Sequence, residues 1–117
     1  MTRVKRSAAS RARRRRVLKQ ASGYRGTRGR LYRAAKEAVM HAGHYAYVHR
    51  RTKKRDFRRL WIARISASSR AAGLTYSRFM NGLSKAGVEL DRKQLAHLAI
   101  SDEQAFAELA DLARENL

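Results

Sequence analysis

Lys53-Lys54-Arg55-Asp56-Phe57-Arg58-Arg59-Leu60-Trp61-Ile62-Ala63-Arg64-Ile65 is the stretch in which this chain changes character. On its N-terminal side, residues 1–59 carry 21 lysines and arginines against two acids, Glu37 and Asp56, a net of +19. On its C-terminal side, residues 60–117 carry seven bases and seven acids, and the net is zero. The chain has no proline, and no glycine lies between Gly43 and Gly73, so the backbone chemistry lets one helix cross the junction. The pattern predicts an all-α fold in two parts. A long basic helical arm over residues 1–59 leads into a small globular helical domain over residues 60–117.

A charge of +19 on 13.4 kDa repels itself severely unless a polyanion neutralises it. Concentrated in one half of the chain, it is the electrostatic footprint of a nucleic-acid binder. The absence of cysteine excludes disulfides and thiolate metal sites and fits a reducing compartment. The basic opening has no apolar run behind it, so a secretory leader is not expected there. No window approaches the 18 or so apolar residues of a membrane span. A basic helix lying on anionic lipid needs bulky apolar residues opposite its charge, and residues 1–16 offer little beyond Val4.

Residues 2–20 read as an extended tip, with Arg3, Lys5 and Arg6, running into a short helix with Arg11, Arg13, Arg14, Arg15, Arg16 and Lys19. The planar guanidinium suits bidentate phosphate contact and stacking on bases. Like charges this dense oppose helix formation in free solution, so this run is expected to be disordered alone and ordered on nucleic acid. Residues 21–30 carry Gly23, Gly26 and Gly29, each a candidate for positive φ, together with Tyr24, Arg25, Arg28 and Arg30. Such a loop lets backbone approach phosphate while the ring meets an unpaired base.

Residues 31–72 predict one helix about 60 Å long, with Gly43 as a possible bend. Its apolar stripe (Leu31, Ala35, Ala38, Ala42 and Tyr45) is narrow and mostly alanine, which suits close approach to a surface and not a thick core. Arg33, Lys36, Tyr45, Tyr47, Arg50, Arg51, Lys53, Lys54, Arg55, Arg58 and Arg59 complete the candidate contacts. The last seven cations surround the helix with only Asp56 among them, which calls for polyanion on more than one side.

Residues 60–117 hold 18 large apolar residues, enough for a marginally stable core, and Trp61 is expected to anchor it. Gly73 and Leu74 fit a Schellman ending, and Thr75 fits an N-cap for a helix that ends at Gly87. Asp91 with Gln94 and Ser101 with Gln104 fit two capping boxes. His41 and His44 have a metal-compatible spacing but lack cysteine or acid partners, so no metal and no cofactor is expected. No nucleophile–base pattern or phosphate-binding glycine loop occurs. Neither catalysis nor a small-molecule substrate is expected.

Lys54, Arg58, Leu60-Trp61-Ile62-Ala63-Arg64-Ile65 and Arg70 resemble the signature of the bacterial large-subunit ribosomal protein L20 family. Arg3-Val4-Lys5-Arg6, Gly23-Tyr24, Ala42-Gly43-His44-Tyr45-Ala46-Tyr47, Tyr76-Ser77-Arg78-Phe79-Met80-Asn81-Gly82-Leu83 and Asp91-Arg92-Lys93 fit the same family, so the resemblance covers nearly the whole chain. Ser66 stands where the family usually has Asn, and His44 where it often has Gln. The resemblance implies a structural constituent of the cytoplasmic ribosome whose arm, through the cations and tyrosines named above, binds large-subunit ribosomal RNA. It further implies a role early in subunit assembly, contacts with neighbouring large-subunit proteins and, in some bacteria, repression of its own messenger RNA. The rival from another class is a DNA-binding nucleoid or regulatory protein with a helix-turn-helix at Gly73. That module puts its cations on the recognition helix, and residues 74–86 carry only Arg78 and Lys85.

Overall fold

The computed structural model describes residues 7–117, so Arg3, Lys5, Arg6 and the extended tip expected around them lie outside the described residues. Five α-helices follow in order: α1 (Ser7–Gln20), α2 (Tyr32–Ala71), α3 (Tyr76–Lys85), α4 (Arg92–Ser101) and α5 (Glu103–Glu115). A single 3-10 turn, Gly26–Gly29, lies between α1 and α2, and no strand occurs among the described residues. The fold is all-α. The chain divides into two compact units, one ending at Arg51 and the other running from Thr52 to Leu117.

In the first unit, α1 is built from alanine and arginine, both strong helix formers, and none of its residues is buried. It ends in a turn in which Tyr24 N–H donates to the Ala21 carbonyl at 3.1 Å and Gly23 takes φ +87°. Gly26 is also left-handed, at φ +64°, but Gly29 is not. Gly29 is required for a different reason, because a methyl there would sit 2.8 Å from the Tyr24 carbonyl oxygen. Ala21 and Ala35 have no exposed surface, and they are the only fully enclosed apolar residues in the described part of this unit.

Helix α2 runs for 40 residues, passing through Gly43 and through the 59/60 charge junction. It stops where the sequence provides a stop. Gly73 adopts φ +79°, its N–H donates to the Arg70 carbonyl at 2.9 Å, and Leu74 N–H reaches back to the Ser69 carbonyl at 2.9 Å. That is the Schellman pair, with Leu74 buried as its apolar partner. The same geometry closes α3, where Gly87 (φ +73°) donates to Ser84 at 3.2 Å and Val88 to Leu83 at 3.0 Å.

The core of the second unit is Ile65, Leu74, Phe79, Leu83, Leu95, Ala96, Phe106, Ala110 and Ala113. Phe79 and Phe106 stack with ring centroids 5.0 Å apart. Trp61 is not the buried anchor. It is half-buried at the edge of the cluster, with the Phe57 ring 6.1 Å away. Ile65, one turn further on, is fully enclosed together with Phe79 and Leu95. A cluster made by short helices encloses an isoleucine more readily than an indole, whose size rarely permits full burial.

Gly82 explains how α3 and α5 approach so closely, since a methyl there would stand 2.7 Å from the Ala113 carbonyl carbon and 2.8 Å from its Cα. Two side chains tie the unit further. Arg92 Nε donates to the Tyr76 hydroxyl at 3.0 Å. Arg114 donates to the Ala72 carbonyl at 2.6 Å, at the C-terminal end of α2, where a cation also meets the negative end of the helix dipole.

The caps agree with the sequence at two of three sites. Thr75 Oγ1 accepts from Arg78 N–H at 3.4 Å. Asp91 and Gln94 form the reciprocal box, at 2.7 and 3.0 Å. The box expected from Ser101 and Gln104 does not form. Asp102 caps α5 instead, accepting from Ala105 N–H at 3.0 Å, while the Ser101 hydroxyl donates back to the His97 carbonyl at 3.0 Å as the last residue of α4. Two cap-competent residues are adjacent, and the extended conformation at Asp102 (φ −146°, ψ 89°) gives the position to the carboxylate.

Candidate nucleic-acid interface

The candidate contacts fall into three groups. On α1, Arg11, Arg13, Arg14, Arg15, Arg16 and Lys19 are all exposed. Four consecutive arginines at about 100° per residue cover most of the helix circumference. Only Val17 and Leu18 are half-buried there. The guanidinium of Arg14 lies 5.9 Å from the centroid of the Tyr32 ring, over the first residue of α2.

In the loop, Tyr24, Arg25, Arg28 and Arg30 are exposed. The loop lies beside α2 and leaves two concavities. One, of about 510 Å³, is lined by Leu18, Lys19, Tyr24 and Arg30 among others. The larger, an open groove of about 910 Å³, has Tyr24, Arg25 and Arg28 on the loop side and Ala34, Glu37, Ala38, His41, Ala42 and Tyr45 on the α2 side.

Along α2, Arg33 and Lys36 are exposed, and from Met40 to Arg51 every residue is. This includes Tyr45 at 56% and Tyr47 at 50% of their full surface. The aromatic rings there pair only with their own helix. Tyr45 stacks on His49 with centroids 5.9 Å apart, and Arg51 lies 4.6 Å from the centroid of the Tyr47 ring. Arg50 completes this part of the interface. In the second unit, Lys53, Lys54, Arg55, Arg58 and Arg59 are likewise exposed, with Lys53 5.9 Å from the Phe57 centroid.

Neutralisation from within is almost absent. Among the described residues the carboxylates near basic side chains are Glu37, 3.9 Å from the His41 imidazole, and Asp111, paired with Arg114, so no lysine or arginine of α1, the loop or the candidate part of α2 is paired with a carboxylate. An ordinary solvated helix face interleaves acids with bases at i,i+4. This one presents cations and exposed aromatic side chains, the combination that tracks a phosphate backbone and stacks on unpaired bases. Among the described residues no group of three or more His, Cys, Asp or Glu is placed to hold a metal ion, and no helix is long and apolar enough to cross a membrane.

The sequence marks the tyrosines, the loop arginines and the α1 cluster as candidate contacts, and the structure leaves all of them exposed. The groove was not legible in the sequence, nor was the presence of Glu37 and His41 in its wall. The available signal was that Glu37 is the sole acid in residues 1–51.

Comparison with known proteins gives one consistent result. The family model described as ribosomal protein L20 matches residues 3–109. Large ribosomal subunit protein bL20 of Aromatoleum aromaticum is 62% identical over 117 residues, covering all of this chain and 98% of its own length. The protein of the same name from an Azoarcus species is also 62% identical with the same coverage, and that of Albidiferax ferrireducens is 57% identical.

Proposed function

The chain belongs to the ribosomal protein L20 family, and from that premise we propose that it is a structural, non-catalytic constituent of the large ribosomal subunit in the cytoplasm, binding the subunit's RNA directly through its basic arm. The observation that carries the reading is the run of exposed cations on α1, the loop and α2 with no carboxylate to pair them. RNA supplies the missing anion on several sides at once and orders the arm into the helices described above. The second unit has its own core, and its part from residue 60 onward, which carries no net charge, meets neighbouring large-subunit proteins or the RNA surface. Early binding during assembly and a second ligand in the chain's own messenger RNA accompany this reading through the family resemblance. A DNA-reading role for α3 is disfavoured by its charge, since Arg78 and Lys85 are its only cations.

Salt dependence of binding tests the proposal. Each neutralised phosphate contributes about −0.7 to −0.9 to the slope of log affinity against log salt. Replacing Arg13, Arg14, Arg15 and Arg16 with alanine should lower the slope by roughly three units if all four engage. The assay is titration of large-subunit RNA with the full chain at several salt concentrations. An unchanged slope would place the cluster in solvent and remove the basis for the reading.

A further inference from the structure

The geometry points to a base-reading subsite in the groove between the glycine-rich loop and α2, one that holds a single unpaired guanine with Glu37 accepting from its Watson–Crick edge. This rests on the RNA-binding reading above and names what one part of that surface would recognise.

The starting point is an anomaly of charge. Residues 1–51 carry 16 cations and one acid, and that acid, Glu37, lies in the wall of the open groove between the loop and α2. A carboxylate facing phosphate is repulsive. It becomes favourable only against a group that donates hydrogen bonds, because an ionised carboxylate accepts and cannot donate. Among the four RNA bases, guanine alone presents two adjacent donors, N1–H and the 2-amino group, on one edge. A carboxylate meets both at once with its two oxygens, the counterpart of the fork by which arginine grips a carboxylate. Adenine, cytosine and uracil each place an acceptor beside their donor on that edge, which would face a carboxylate oxygen.

The rest of the groove suits a nucleotide. Ala34, Ala38 and Ala42 recur at i,i+4 spacing and give a low apolar floor. Tyr24 and Tyr45 line the groove as exposed aromatic residues, Tyr45 with His49 stacked against its ring, and stacking of a base on such rings is sequence-tolerant, leaving identity to the polar edge. Arg25 and Arg28 stand on the loop side for the attached phosphates. His41, 3.9 Å from Glu37, lines the same wall of the groove. The volume, about 910 Å³, falls in the range of roughly 300–1,000 Å³ of small-ligand sites.

The test uses the full chain and RNA duplexes of one sequence, each carrying a single bulged G, A, C or U or an abasic bulge, titrated at fixed salt. The wild type should bind the G bulge about tenfold tighter than the abasic one, toward the lower end of what a bidentate contact supplies. Glu37→Gln should weaken the G-bulged duplex alone, and Tyr24→Ala should weaken every bulged base relative to the abasic site. Equal wild-type affinity for all five duplexes would overturn the assignment while leaving RNA binding intact. A Glu37→Gln variant that binds all five more tightly by the same factor would do so too, because it would show a carboxylate that only repels phosphate. Absence of salt-dependent binding to any duplex would overturn the assignment together with the RNA-binding reading.

Discussion

Gly82→Ala adds one methyl group and should destabilise the second unit more than most larger changes. The added carbon would lie 2.7 Å from the carbonyl carbon and 2.8 Å from the Cα of Ala113. Both are backbone atoms of α5, so no side chain can swing away. Restoring ordinary contact at about 3.4 Å or more requires α3 and α5 to separate by several tenths of an ångström. That movement loosens the Phe79–Phe106 stack and the enclosure of Leu83, Ala110 and Ala113. Overpacking of this kind costs about 1–3 kcal/mol and occasionally more, while exchanging a mid-helix glycine for alanine returns about 1 kcal/mol. With a rigid contact on backbone, the upper part of the overpacking range applies, leaving a net loss of about 2 kcal/mol. At roughly 4–8 °C per kcal/mol for a unit of this size, the melting temperature should fall by about 8–16 °C. The control is Gly43→Ala, also mid-helix, where a methyl would meet no atom within 4 Å. That variant should gain helix stability by up to about 1 kcal/mol. The assay is thermal unfolding of the full chain followed by fluorescence of Trp61, the single tryptophan, which packs at the edge of the core it reports on. If Gly82→Ala melts at or above the wild-type temperature, the close approach of α3 to α5 is refuted.

Two further pairs test the core and the caps. Phe79→Ala should cost about 3–5 kcal/mol in urea unfolding followed by circular dichroism, and Trp61→Ala clearly less, because its ring is only half-buried. Equal losses would restore Trp61 as the anchor. Asp102→Ala should cost about 0.5–2 kcal/mol as the loss of an N-cap, whereas Ser101→Ala should stay within about 0.5 kcal/mol as a surface change. The reverse order would return the cap of α5 to Ser101.

What was legible in the sequence was local. The Schellman ending at Gly73 and Leu74, the cap at Thr75 and the Asp91–Gln94 box depend on residues within one turn of each other, and all three form. The crossing of α2 through the charge junction likewise needs only the absence of breakers. Ser101 and Asp102 show where local signals stop sufficing. Both satisfy the chemistry of a cap, and only the backbone turn at Asp102 between α4 and α5 selects one. Depth is illegible for the same reason, since Trp61 and Ile65 share a stripe but the packing of three other helices decides which is enclosed. Gly29 and Gly82 are needed for space and not for φ, crowded by the folded turn at Tyr24 in one case and by the backbone of α5 in the other. In the candidate interface, charge and aromatic content were visible residue by residue. The groove containing Glu37 was not, because it exists only once the loop has folded beside α2.

The contacts of α5 impose an order in time. The second unit closes only when Phe106, Ala110, Ala113 and Arg114 are present, the last of these reaching back to the carbonyl at residue 72. A chain made from its N-terminus at about 5–20 residues per second has finished residue 59 roughly 3–11 s before it finishes residue 113. The polycationic half therefore exists first, while the half that will become compact still lacks its closing helix. During that interval the nascent chain offers every nearby polyanion an arm with no folded body behind it, so binding by the arm can begin before the second unit has folded.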